Sequence, residues 1–123
     1  MNQALLYVAA GLTGVWGISH LFATKGVVRD FGGISTDNRR VITMEWIVEG
    51  VALITIAALV AVVTAIDYAT RVATGAFAVA IGALIVLSIV SLFTGSRIRF
   101  LPYRLCPIIF TASAVLIGLG AWL

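Results

Sequence analysis

Residues 41–63 read VITMEWIVEGVALITIAALVAVV, and the reading of this stretch decides the fold. As a helix it is about 35 Å long, enough to cross a hydrocarbon core of about 30 Å. Its only ionisable residues are Glu45 and Glu49, which stand one turn apart and therefore share a face. An acidic residue at a helix centre costs about 2.5–3.5 kcal/mol to insert against lipid. The face carrying both carboxylates must therefore look into protein or water. The stretch marks a membrane span and, on it, the side where a site lies.

The rest of the chain agrees. Of its 123 residues 62% are hydrophobic and 11% charged, against about 45–50% and about 25% in soluble domains. The apolar residues come in blocks of about twenty, as membrane spans require. The expectation is an all-α membrane protein, one four-transmembrane-helix bundle with helices over residues 4–23, 41–64, 71–94 and 104–123. A single cysteine, Cys106, excludes an internal disulfide and any Cys-x-x-Cys pair. No nucleotide or phosphate motif is present. The first twenty residues carry no Lys or Arg ahead of their apolar run, so they read as a retained helix rather than a cleaved signal.

Seven of the eight basic residues lie in two connections, residues 24–40 (Lys25, Arg29, Arg39, Arg40) and 95–104 (Arg97, Arg99, Arg104). The net charge of +3 is thus a topology signal and not a nucleic-acid footprint. By the positive-inside rule these two loops are expected on the cytoplasmic side of the cell membrane, with both termini outside. Gly11, Gly14 and Gly17 form a strip of small residues on helix 1, and Ala57, Ala61 and Ala65 form another on helix 2, both suited to close helix packing. Gly50, beside Glu49, reads as opening space at that level. Ser35 to Asn38 supply capping chemistry ahead of helix 2. Helix 3 carries no ionisable group after Arg71 and reads as scaffold. Pro102 is expected to hold the start of helix 4 beyond itself, with Pro107 in the first turn.

Counting depth from the basic loops at 1.5 Å per residue brings the unusual residues to one layer. His20 and Glu45 lie about one turn inside, and Glu49 lies one turn deeper, level with Trp16. Trp46, Tyr103, Arg104 and Cys106 reach the same layer. The candidates for binding a ligand or a proton are His20, Glu45, Glu49, Trp16, Trp46, Tyr103 and Arg104. His20 is expected within hydrogen-bond reach of Glu45 or Glu49, directly or through one water. Each candidate also has a structural role open to it: His20 as a staple between helices, Glu45 as a partner of Arg104, the tryptophans as packing or interfacial residues. Cys106 reads as a small packing residue. One histidine and two carboxylates match the count of a facial triad, but the Glu-x-x-His pairs of helical di-iron sites are absent. A lone histidine leaves a haem five-coordinate or shared between two chains. No metal is expected from the sequence.

The segments GxxGxSHLF (from Gly14), EWIVEGVALI (from Glu45) and LPYRLCPI (from Leu101) resemble the DoxX-like family of small four-helix membrane proteins. That resemblance implies association with membrane oxidoreductase complexes, including quinone-linked sulfur oxidation, with His20, Glu45 and Glu49 as the polar centre. The cysteine pairs of the thiol-active relatives are missing here. Small multidrug resistance transporters are similar only in architecture, since their membrane-embedded glutamate lies in helix 1. The first expectation is therefore an accessory or structural subunit of a membrane complex, redox-linked by resemblance, whose partners are membrane lipids and other membrane subunits or further copies of itself. The alternative is a quinone- or lipid-binding, or proton-handling, protein using the Glu–His layer. A small transporter is third.

Overall fold

A computed structural model describes residues 1–123 as four helices and short connections, with no strands. The helices are α1 (Gln3–Asp30), α2 (Thr36–Asp67), α3 (Arg71–Thr94) and α4 (Leu101–Trp122), and all four are long and apolar enough to cross a membrane. This is a four-helix, multi-pass membrane protein. In lipid, helix association rests on close packing and not on removal of apolar surface from water. The helices form a ring in which α1 packs mainly on α2, α3 on α4, and α1 on α4, while α2 and α3 touch least.

Four boundaries differ by three residues or more from the expected ones: the end of α1, both ends of α2 and the start of α4. Helix α1 runs seven residues past residue 23, because Thr24, Val27 and Val28 continue the buried stripe of His20 at helical spacing. Lys25 and Arg29, which suggested a loop, sit on its exposed side. Gly32 stops the chain after α1 with φ +72°, and its N–H donates to the Arg29 carbonyl at 3.0 Å. Glycine reaches that left-handed conformation without a Cβ penalty. Helix α2 begins at Thr36 because the Ser35 hydroxyl accepts from the Asn38 N–H at 3.1 Å. At 28 and 32 residues, α1 and α2 are about 42 and 48 Å long, so the pair outreaches a hydrocarbon core of about 30 Å. The surplus length, with Lys25, Arg29, Arg39 and Arg40, lies at the basic end. A recess of about 260 Å³ separates Val27, Asp30 and Phe31 of α1 from Ile98, Phe100 and Tyr103.

Helix α4 starts at Leu101, before Pro102 rather than after it. Proline is tolerated in a first turn, where its missing N–H has no intrahelical acceptor to satisfy. Pro107 lies within the helix and leaves the Tyr103 carbonyl without its i+4 donor. The Ser88 hydroxyl of α3 donates to the Pro107 carbonyl at 3.0 Å and lies 2.7 Å from the Thr111 hydroxyl. Ser88 has one proton, so Thr111 is the donor in the second bond.

Helices α1 and α2 approach each other most closely at two glycines. A Cβ on Gly17 would stand 2.8 Å from the Gly50 carbonyl oxygen and 2.9 Å from Leu53 Cβ; a Cβ on Gly50 would stand 2.9 Å from the Gly17 oxygen and 2.8 Å from Leu21 Cδ2. Gly50 thus opens no space; α1 fills it. The two glycines face each other and let the backbones touch. Gly14 meets Ala57 one turn further on, whereas Gly11 has open space. At the opposite end Phe77, Phe110, Ile117 and Leu6 are fully buried, and the Asn2 N–H ties the amino end to the Gly120 carbonyl at 2.7 Å.

Candidate functional site

The Gly17–Gly50 contact sets the register that builds the polar layer. One turn beyond Gly17, His20 meets Glu49 and Trp46 of α2. His20 is buried, 4% exposed. Its Nδ1 lies 2.9 Å from the Trp16 carbonyl, and a carbonyl only accepts, so Nδ1 carries the proton. In the neutral ring this leaves the Nε2 lone pair directed at α2, with Glu49 Oε1 at 3.6 Å. That separation is longer than a hydrogen bond. It is nevertheless the one close approach of a carboxylate to a basic group in the chain. The Trp46 ring stacks on His20 with centroids 4.8 Å apart, Trp16 meets it edge-on at 6.0 Å, and Tyr103 of α4 meets Trp46 edge-on at 5.4 Å. The imidazole is thereby clamped between two indoles.

Around this cluster lies a cavity of about 430 Å³, lined by His20, Glu45, Trp46, Val48, Glu49, Ala52, Leu87, Val90, Ser91, Thr94, Gly95, Tyr103 and Cys106. It occupies the side of the ring where α2 and α3 touch least. The three-residue connection Tyr68–Thr70 joins these two helices at the opposite end, and the cavity opens where they are furthest from it. Its lining divides by chemistry. Glu45, Glu49, His20, Ser91, Thr94 and Tyr103 form a polar group, and Val48, Ala52, Leu87 and Val90 form apolar walls.

The structure brings together His20, Glu49, Trp16, Trp46 and Tyr103, as the depth count placed them. Glu45 lines the cavity but is exposed, one turn nearer the basic end than Glu49. Arg104 is exposed, takes no part in the lining and forms no ion pair with Glu45. Cys106, read as packing, is buried among the lining residues. Its sulfur, a carboxylate oxygen of Glu49 and a ring nitrogen of His20 all lie within 4.8 Å of one another. The Trp16 Nε1–H is buried without a hydrogen-bond partner.

Sequence reasoning missed the contribution of α3. Leu87, Val90, Ser91 and Thr94 make one wall of the cavity, so this helix is more than scaffold. A signal was present: Ser88, Ser91 and Thr94 recur every three residues at the basic end of an otherwise apolar helix. Ser88 fastens α3 to α4, and Ser91 and Thr94 face the cavity. No protein-family model matches the chain, and neither a curated protein nor a solved structure matches it.

Proposed function

We propose that this protein binds a small amphipathic membrane molecule, of the quinone or lipid class, in the cavity between α2 and α3. The observation that carries this reading is a cavity at the loosest seam of the bundle whose lining combines Glu45, Glu49, His20, Ser91, Thr94 and Tyr103 with the apolar Val48, Ala52, Leu87 and Val90. About 430 Å³ falls within the usual range for small-molecule sites, about 300–1,000 Å³. A polar headgroup fits against Tyr103, Ser91, Thr94 and Glu49, and an alkyl tail leaves between Val48 and Ala52 on one side and Leu87 and Val90 on the other. The Tyr103 hydroxyl donates to a carbonyl oxygen of such a headgroup. The Ser91 and Thr94 hydroxyls, whose protons go to the Leu87 and Val90 carbonyls, accept from a headgroup hydroxyl. Glu49 is placed to accept or supply a proton beside the headgroup. The layer then sits at the cytoplasmic face, by the distribution of basic residues.

Titration of the purified protein with a short-chain quinone tests this. Saturable quenching of tryptophan fluorescence, lost in a Trp46→Phe variant, is expected, and Ala52→Phe, which fills the cavity from its apolar lining, should abolish it while leaving the helix content intact. Quenching that never saturates, or that persists in Ala52→Phe, defeats the proposal.

A second reading, an accessory subunit of a redox-linked membrane complex as the DoxX-like resemblance implies, is favoured by α3. Gly75 and Gly82 are both exposed two turns apart, with nothing within 4 Å of where a Cβ would stand. A neighbouring transmembrane helix packs closely on such a surface. Mild-detergent purification checks it: a stoichiometric membrane partner that Gly75→Leu or Gly82→Leu releases is the expected result, and a chain that purifies without a partner counts against it.

A further inference from the structure

We propose that His20, Glu49 and Cys106 form a binding site for one divalent transition-metal ion of the zinc class. The three residues come from α1, α2 and α4, which are distant in sequence, and their donor atoms converge within 4.8 Å. This inference does not depend on what molecule occupies the rest of the cavity.

Four features support a metal here. The first is the histidine. Metal-ligating imidazoles characteristically donate their other ring N–H to a carbonyl or carboxylate, which fixes the tautomer and aims the free nitrogen at the ion. His20 does this, with Nδ1 on the Trp16 carbonyl at 2.9 Å and Nε2 turned towards Glu49. The second is spacing. Zinc lies about 2.0–2.1 Å from nitrogen, about 2.0–2.2 Å from oxygen and about 2.3 Å from sulfur, so tetrahedral donors stand about 3.3–3.6 Å apart. The Nε2–Oε1 separation of 3.6 Å is too long for a hydrogen bond and near that value. The two pairs that include the Cys106 sulfur, 4.8 Å apart at most, need to close by up to about 1.2 Å, a shift of the size that side-chain rotation supplies.

The third feature is charge. A dication with one carboxylate and one thiolate sums to zero, which suits a site inside a membrane span, where net charge is costly. Binding displaces the Cys106 thiol proton, which leaves to solvent through the cavity, and the sulfur becomes a thiolate ligand. The fourth is the orphaned Trp16 N–H, buried beside the Cys106 thiol. A metal-bound thiolate is a better acceptor for it than a neutral thiol. Mixed nitrogen, oxygen and sulfur donors favour zinc over magnesium or calcium, which select oxygen. Three protein ligands leave a fourth position facing the cavity, the arrangement of zinc sites that take up water or a ligand.

Cobalt(II) added to the chelator-treated full-length protein in detergent micelles tests the site, because cobalt occupies zinc positions and reports its ligands spectroscopically. The expected result is one cobalt per chain, with intense visible bands of tetrahedral coordination and a near-ultraviolet thiolate-to-cobalt charge-transfer band that one equivalent of zinc removes. Cys106 is the only thiol, so the charge-transfer band in the unmodified protein identifies it without any variant. His20→Gln and Glu49→Gln should each weaken cobalt binding at least tenfold, and Asp37→Asn, on the exposed first turn of α2, should leave it unchanged. Absence of the charge-transfer band at saturating cobalt overturns the proposal. So does binding that His20→Gln and Glu49→Gln leave at full strength, since cobalt then sits elsewhere.

Discussion

Replacing Gly17 by alanine should force α1 and α2 apart and loosen the site one turn away. The added Cβ would meet the Gly50 carbonyl oxygen at 2.8 Å, Leu53 Cβ at 2.9 Å and Ile54 Cγ1 at 3.0 Å. The first two obstacles are fixed to the α2 backbone and have no rotamer that yields. Ordinary carbon contacts lie at about 3.5–4.0 Å, so relief requires the helices to separate locally by about 0.6–1 Å. Overpacking of this kind costs about 1–3 kcal/mol. A gap of that size also forfeits a quarter to a half of each dispersion contact along the seam. Alanine returns about 0.8–1 kcal/mol of helix propensity. The net expectation is destabilisation by up to about 2 kcal/mol, and by about 1–3 kcal/mol relative to an alanine that gains the same propensity without the clash.

Gly11→Ala is the control on the same helix, since nothing lies within 4 Å of its Cβ position, and it should be neutral or slightly stabilising. The assay is denaturant unfolding in mixed micelles followed by tryptophan fluorescence. Trp16 and Trp46 flank His20 and report the same seam. Equal stability of Gly17→Ala and Gly11→Ala would refute the claim that backbone contact at Gly17–Gly50 sets the register of the site.

Glu49→Gln should retain the fold but lose retention of a quinone-class ligand, whereas Glu45→Gln, at the exposed mouth, should have the smaller effect; ligand content after gentle extraction compares them. Ser88→Ala removes the hydroxyl that bridges α3 to the Pro107 carbonyl and to Thr111, and should cost about 0.5–1 kcal/mol in the same unfolding assay. Single cysteines placed at Ser35 and Ser96, in a Cys106→Ser background, should react with an impermeant maleimide only from the cytoplasmic side; labelling only from outside reverses the proposed orientation.

Much of this molecule was legible in its sequence because the bilayer imposes one-dimensional constraints. Segment length and apolar content were enough for the four helices, and counting residues from the basic loops placed His20, Trp16, Trp46, Glu49 and Tyr103 in one layer at the basic end. The end of α1 and the start of α4 depart from expectation for separate reasons. By polarity alone Lys25 and Arg29 mark a loop, whereas their side of the helix is exposed and the opposite side continues the buried stripe through Val28. Pro102 reads as a barrier, although in the first turn its missing N–H costs nothing.

Depth is all that such counting supplies; it does not say which helix stands beside which, nor at what rotation. Three glycines at equal spacing on α1 looked alike, yet only Gly17 meets the backbone of Gly50, and that contact selects Glu49 rather than Glu45 as the neighbour of His20. The weak α2–α3 seam, and with it the cavity and the part played by Ser91 and Thr94, follows from how three helix pairs pack at once. Cys106 packs in the buried core, as its size suggests, and the same packing sets its sulfur beside His20 and Glu49. The sequence by itself determined the spans and the level of the polar layer, because lipid acts on each helix separately. Only the tertiary structure decided which side chains share that level in contact, because helix rotation and neighbour choice depend on packing between residues far apart in the chain.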